Sequence, residues 1–116
     1  MRDAIVIPPQ GEPYALQLPE DGNAELRILQ QAVEGWIEGV PNPHGVTVYC
    51  NEEGKIKGLP PNYRATHLFG AWLQPFDIIA GNVIVCGPPD DEGENTSLED
   101  VEGWISRAVE AVPVAS

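Results

Sequence analysis

The chain has 116 residues, 42% of them hydrophobic, and 18 Asp and Glu against 6 Lys and Arg, for a formal charge of −12. This length suits one compact domain spanning 1–116 and excludes a large multidomain enzyme, while apolar runs such as Ala4 to Ile7 and Val83 to Cys86 exclude a disordered chain. The acidic balance disfavours direct binding to DNA, RNA or anionic lipid, all of which call for clustered Lys and Arg.

Ala4 to Ile7 and Tyr14 to Leu18 read as strands joined by the turn Pro8 to Pro13, an N-terminal hairpin. Asp21-Gly22-Asn23 offers caps for a helix from about Ala24 to Glu38, where Leu26, Leu29, Val33, Trp36, Ile37 and Val40 keep helical spacing and Gly39 and Pro41 provide the stop. Val46 to Cys50 is the next strand, and the turn Asn51-Glu52-Glu53-Gly54 is expected to fold Lys55-Ile56-Lys57 back against it. Asn62 to Phe69 reads as a short helix, capped by Asn62 and ended by Gly70. Ile78 to Ala80 and Val83 to Cys86 flank Gly81-Asn82, a composition that favours a tight hairpin. After an acidic loop over 87–95, Thr96-Ser97-Leu98-Glu99 has the pattern of a capping box, opening a helix over about 97–111 that Pro113 closes. Val33-Glu34-Gly35-Trp36-Ile37 recurs as Val101-Glu102-Gly103-Trp104-Ile105, read as two amphipathic helices with the same grammar.

Hairpins mixed with helices, without regular βαβ spacing, predict an α+β fold. The expected architecture is a largely antiparallel sheet of short strands and hairpins, packed by two amphipathic helices and a short third one. No segment reaches the roughly 20 apolar residues that span a bilayer, and the apolar run after Asp3 is too short for a secretory segment, so a soluble cytoplasmic protein is expected. Cys50 and Cys86 each lie in an apolar segment and read as buried thiols.

The bases are unevenly placed. Lys55, Lys57 and Arg64 are half of them, His67 is nearby, and Lys55 to Phe76 contains no acid. With Asn51, Asn62 and Tyr63 they form a candidate site for a small anionic ligand, in which the N-terminus of the helix begun by Asn62 supplies N–H groups and Tyr63 stacks on a ring. The plainer reading is that the bases pair with surface carboxylates, each pair contributing about 0–1 kcal/mol, and that Tyr63 is core. Cys50, His67 and Asp77 are residue types that catalyse hydrolysis, and His44, Cys50, His67 and Cys86 could be drawn as a metal set. Neither group has the close-pair spacing of a known site, and no phosphate or dinucleotide loop is present. No catalytic residue, metal or cofactor is therefore expected. Asp90, Asp91, Glu92, Glu94, Glu99, Asp100 and Glu102 lack the spacing of an EF-hand and read as a solvated surface or as a docking face for a basic protein.

Asn51-Glu52-Glu53-Gly54, Gly58-Leu59-Pro60-Pro61-Asn62, Asp77-Ile78-Ile79-Ala80-Gly81, Cys86-Gly87 and Thr96-Ser97-Leu98 follow one another in an order that resembles a family of small proteins of unknown function from phages, plasmids and conjugative elements. The resemblance spans about Tyr14 to Ile105 and implies a setting, not an activity. Accessory proteins of mobile elements typically act by binding, an analogy that favours a non-enzymatic module. The expected function is thus an accessory binding protein that counteracts host defence by capturing a nucleotide-like ligand, with homo-oligomers plausible. The alternative is an acidic inhibitor or nucleic-acid mimic that blocks a basic host protein.

Overall fold

The computed structural model describes residues 1–69 and 78–111. Arg2–Ile7 (β1) and Tyr14–Leu18 (β2) form the expected antiparallel hairpin, with Ile5 opposite Ala15. Strand β1 starts ahead of the apolar run because Arg2 is anchored. Its guanidinium donates to the carbonyls of Asn95 (2.6 Å) and Pro19 (2.7 Å) and pairs with Glu25.

Helix α1 (Gly22–Val33) is capped by the Asp21 carboxylate, which accepts from the Asn23 N–H at 2.9 Å. It stops short of the expected Glu38. Glu34 turns left-handed (φ 65°), the Gly35 N–H bonds to the Gln30 carbonyl at 3.0 Å, and this closure leads into a strand, Ile37–Gly39 (β3). The apolar positions past Val33 keep helical spacing by coincidence, and Trp36 is 65% exposed.

Strands β4 (Thr47–Asn51) and β5 (Val83–Cys86) complete an antiparallel sheet of order β2-β1-β5-β4-β3. That order corrects two of the expected pairings. Lys55 to Lys57 forms successive turns instead of a strand, because β4 already has β3 on one side and β5 on the other. Ile78 to Ala80 does not form a hairpin with β5, whose two edges belong to β1 and β4. Ala80 bridges to Pro61 instead, and the Gly81 N–H donates to the Pro60 carbonyl at 2.7 Å.

Helix α2 (Tyr63–Phe69) begins as expected, with the Asn62 side chain accepting from the Ala65 N–H at 3.0 Å. Its expected stop at Gly70 lies outside the described residues. Helix α3 (Val101–Glu110) starts later than Ser97, and its cap is Asp100, which accepts from the Gly103 N–H at 3.1 Å. Thr96 to Leu98 is used elsewhere: the Thr96 hydroxyl donates to the Pro88 carbonyl, the Ser97 hydroxyl accepts from the Asp3 N–H at 2.8 Å, and the Leu98 N–H donates to the Asp3 carbonyl. The expected closure at Pro113 lies outside the described residues.

The α+β class holds, and the sheet is covered on both faces. On one side Ala4, Val6, Leu18, Ile84 and Cys86 pack with Leu29 and Val33 of α1. On the other, Ile5, Ile7, Val48, Val83 and Val85 pack with Ala65 and Phe69 of α2 and Trp104 and Ala108 of α3. The repeated pentapeptide therefore has two conformations. Its first copy ends a helix and enters a strand, while its second lies within a helix, where Trp104 is 6% exposed and stacks near Phe69 with ring centroids 5.9 Å apart.

Position relative to the cap decides between the two. Asp100 sits just before the second copy and holds the Gly103 N–H, whereas the first copy follows three turns of helix and lies where α1 closes. A Cβ on Gly103 would collide with the Asp100 carboxylate. Gly103→Ala is expected to displace that cap and lower stability by about 1 kcal/mol despite alanine's higher helix propensity, measured as a reduced urea midpoint with an unchanged slope.

Candidate functional site

The segment 51–62 leaves β4, passes through the 52–58 turns and enters α2. Its two asparagines are fasteners. Asn51, 4% exposed, donates to the Val33 carbonyl at 2.8 Å and accepts from the Glu53 N–H at 2.7 Å, tying the end of α1 to β4. Asn62 is fully buried and donates to the carbonyls of Ile7 and Gly81, each at 2.8 Å, while its oxygen caps α2. The Thr66 N–H donates to the Asn62 backbone carbonyl at 3.0 Å, so the first turn of α2 is closed locally.

The basic residues are spread among different partners. The Arg64 guanidinium donates to the Gly11 carbonyl in the β1–β2 turn. Lys57 lies over the closure of α1, since a Cβ on Gly35 would come within 2.8 Å of its Nζ, and a cation is favoured at a helix C-terminus. Tyr63 is 52% exposed and not core, and His67 is exposed on α2.

Lys55 lines a crevice. One recess, of about 250 Å³, lies between the Cys50 to Ile56 stretch, the Glu38 to Pro41 stretch and Ile78 to Ala80. A neighbouring recess of about 320 Å³ is lined by Lys55, Leu59, Pro61, Ile78 and Ala80. Lys55, Ile78 and Ala80 belong to both. The buried lining of the first recess is mostly apolar (Val40, Cys50, Ile79 and Ala80, with Asn51), and the exposed Glu38, Glu52 and Glu53 stand beside Lys55. Backbone packing shapes this wall: a Cβ on Gly54 would lie 2.9 Å from the Ala80 carbonyl oxygen, so only glycine lets the turn approach so closely.

Cys50 lines the first recess, but burial, with the nearby Glu38 adding to it, pushes its thiol up to about 11. Cys86 lies on the opposite face of the sheet, where burial raises its thiol to about 12. These thiols are poor nucleophiles near neutral pH and do not face each other. Asp77 lies outside the described residues. His44 sits edge-on to Phe69 and Trp104, with Nε2 2.9 Å from the Leu68 carbonyl oxygen. Among the described residues no group of three or more His, Cys, Asp or Glu is arranged to hold a metal ion.

The acids Asp90, Asp91, Glu92, Glu94, Glu99, Asp100 and Glu102 are all exposed. Two have local structural work: Asp90 accepts from the N–H groups of Glu92 and Glu94, and Asp100 caps α3. Sequence reasoning missed a polar cluster at the other end of the sheet. There Glu25 pairs with Arg2 and accepts from Asn95 Nδ2 at 2.9 Å, and the Tyr49 hydroxyl donates to Asn95 Oδ1 at 2.9 Å. Burial, the largest cause, raises the Tyr49 hydroxyl above its ordinary value. The local signal for this cluster is Arg2, two residues ahead of the apolar run Ala4 to Ile7.

With this arrangement, the chain matches the family model of DUF3846, a domain of unknown function, over residues 1–109. It belongs to that family, in agreement with the resemblance to a family of unknown function. No curated protein and no solved structure matches it. No helix among the described residues is long and apolar enough to cross a membrane.

Asn62→Leu keeps the branched shape but adds bulk at a fully buried site and leaves buried carbonyls and an N–H without partners, and is expected to cost about 2–4 kcal/mol in urea unfolding. The thiols give a pH signature. Their folded pKa values lie above the unfolded value of 9.0, so their contribution is fully present below pH 9 and is lost as pH rises toward about 11 to 12. Stability should therefore fall above pH 9, less steeply in Cys50→Ala than in the parent, and both thiols should resist alkylation at pH 8 until the chain is unfolded.

Proposed function

We propose that this protein is a non-catalytic accessory binding module that captures a small ligand in the crevice between the Cys50 to Ile56 stretch and Ile78 to Ala80. The observation that carries this reading is the pair of adjoining recesses, each close to the lower limit of ordinary ligand pockets, with Lys55 at their junction. An apolar floor and one lysine suit a ligand with a planar or apolar body and a single anionic group. Glu38, Glu52 and Glu53 disfavour a polyanion, which narrows the nucleotide-like class to singly charged members such as a cyclic mononucleotide. The resemblance to mobile-element proteins extends the reading to a ligand made by a host defence system in the cytoplasm.

A second reading rests on the exposed acids of 90–102: an acidic face that docks on a basic host protein. Few carboxylates are neutralised in place, since the ion pairs among the described residues are Met1 with Glu20 and Arg2 with Glu25.

Thermal unfolding against cyclic, mono- and dinucleotides and other phosphorylated metabolites separates the two. A captured ligand at about 100 times its Kd adds roughly 2.7 kcal/mol, a shift of several degrees for a domain of this size. The shift should vanish in Lys55→Ala and persist in Arg64→Ala, whose guanidinium is held at the β1–β2 turn. No shift across the panel would remove the crevice reading and leave the acidic face, for which partner affinity must drop steeply with added salt.

A further inference from the structure

Strand β2 is an open sheet edge bounded by Pro13 and Pro19. Among the described residues no strand pairs with its outer side, and it contains no charge and no proline over Tyr14–Leu18. Tyr14, Ala15 and Gln17 are exposed, and the helices make their main sheet contacts on the other four strands. The opposite edge, β3, is blunted in the ordinary way: it has three residues, includes Glu38, and is followed closely by Pro41. An uncharged edge of five residues offers backbone N–H and C=O groups to an incoming strand.

What lies at its ends selects the occupant. Glu12 precedes β2 and Glu20 and Asp21 follow it, all exposed, with Glu20 3.6 Å from the Met1 amino group but its side chain still 74% exposed. Two copies pairing antiparallel about Leu16 would set Tyr14 against Leu18 of the other copy, and the same register sets Glu12 against Glu20 at both ends. Like charges opposed across a strand pair are destabilising, so this edge works against self-pairing. An extended segment with a basic residue at each end and an uncharged β-forming middle meets carboxylates at both ends and backbone partners between them. We propose that β2 is a β-augmentation site for such a segment of another protein, a surface separate from the ligand crevice.

The test uses the full chain and a nine-residue peptide matching the span from Glu12 to Glu20, with Arg at both ends and alternating Thr and Val between, beside a version ended in Glu. Labelled-peptide anisotropy should show the Arg-ended peptide binding at least tenfold tighter. Amide hydrogen exchange should slow over Tyr14–Leu18, and the exposed pair Glu12→Lys with Glu20→Lys should reverse the preference. Absent binding, equal affinity for the two peptides, or slowed exchange confined to other segments overturns the proposal. So does a free protein that sediments as a dimer with its Tyr14–Leu18 amides already protected, which would make a second copy the occupant.

Discussion

The burial of β5 on every side is the constraint from which the rest of the architecture follows. Val83, Ile84, Val85 and Cys86 are each fully buried, with β1 and β4 hydrogen-bonded along the two edges and side chains alternating between two cores. A strand of this kind cannot stand in a sheet with one wet face, so a domain of 12.6 kDa has to cover both. Helix α1 takes one face and α2 with α3 the other. Each core is thin, and each helix is the sole helical cover for its part of the sheet among the described residues.

Thin cores leave the ends of the sheet to be closed by polar groups. At one end Arg2, Glu25, Tyr49 and Asn95 join the start of β1, the start of α1, β4 and the loop before α3. A buried ion pair of this sort adds little net stability, because desolvation offsets most of the attraction, but breaking it strands a charge. At the other end Asn62 joins β1, the Gly81 turn and α2, while Asn51 joins β4 to α1. The polar residues of the 51–62 segment are thus divided by depth: the asparagines hold the fold, and Lys55 lines the crevice.

Local signals were legible where one interaction settled the outcome. The β1–β2 hairpin, the α2 cap at Asn62 and the apolar β5 were all readable, because turn prolines, an asparagine before a short apolar run and a β-branched stretch each act over a few residues. What failed depended on partners distant in the chain. Helical spacing ran on through Trp36 and Val40, yet the closure at Glu34 and Gly35 and the open edge of β4 drew Ile37 into a strand. Lys55 to Lys57 and Ile78 to Ala80 had strand-like surroundings but no vacant strand edge beside them. For the candidate site, the turn-rich 51–62 segment supplies one wall of the crevice, while its other walls and its charge were not legible in the sequence. Glu38 reaches the rim only because β3 pairs with β4, a contact no window of sequence contains.

The same topology keeps the two proposed surfaces apart. The crevice lies against β3 and β4, and β2 is at the far edge, three to four strand spacings or roughly 14–19 Å away. Between them stands β5, too well packed on both faces to relay a small displacement without cost to both cores. Binding at one edge therefore has no short mechanical route to the other. What the two surfaces share is electrostatic: with a formal charge of −12 and two ion pairs among the described residues, the protein attracts a basic segment. The same field raises the cost of bringing an anion to Lys55. A ligand captured in the crevice as proposed would owe its affinity to apolar contact and to one lysine, which favours a compact, singly charged molecule over a longer polyphosphate.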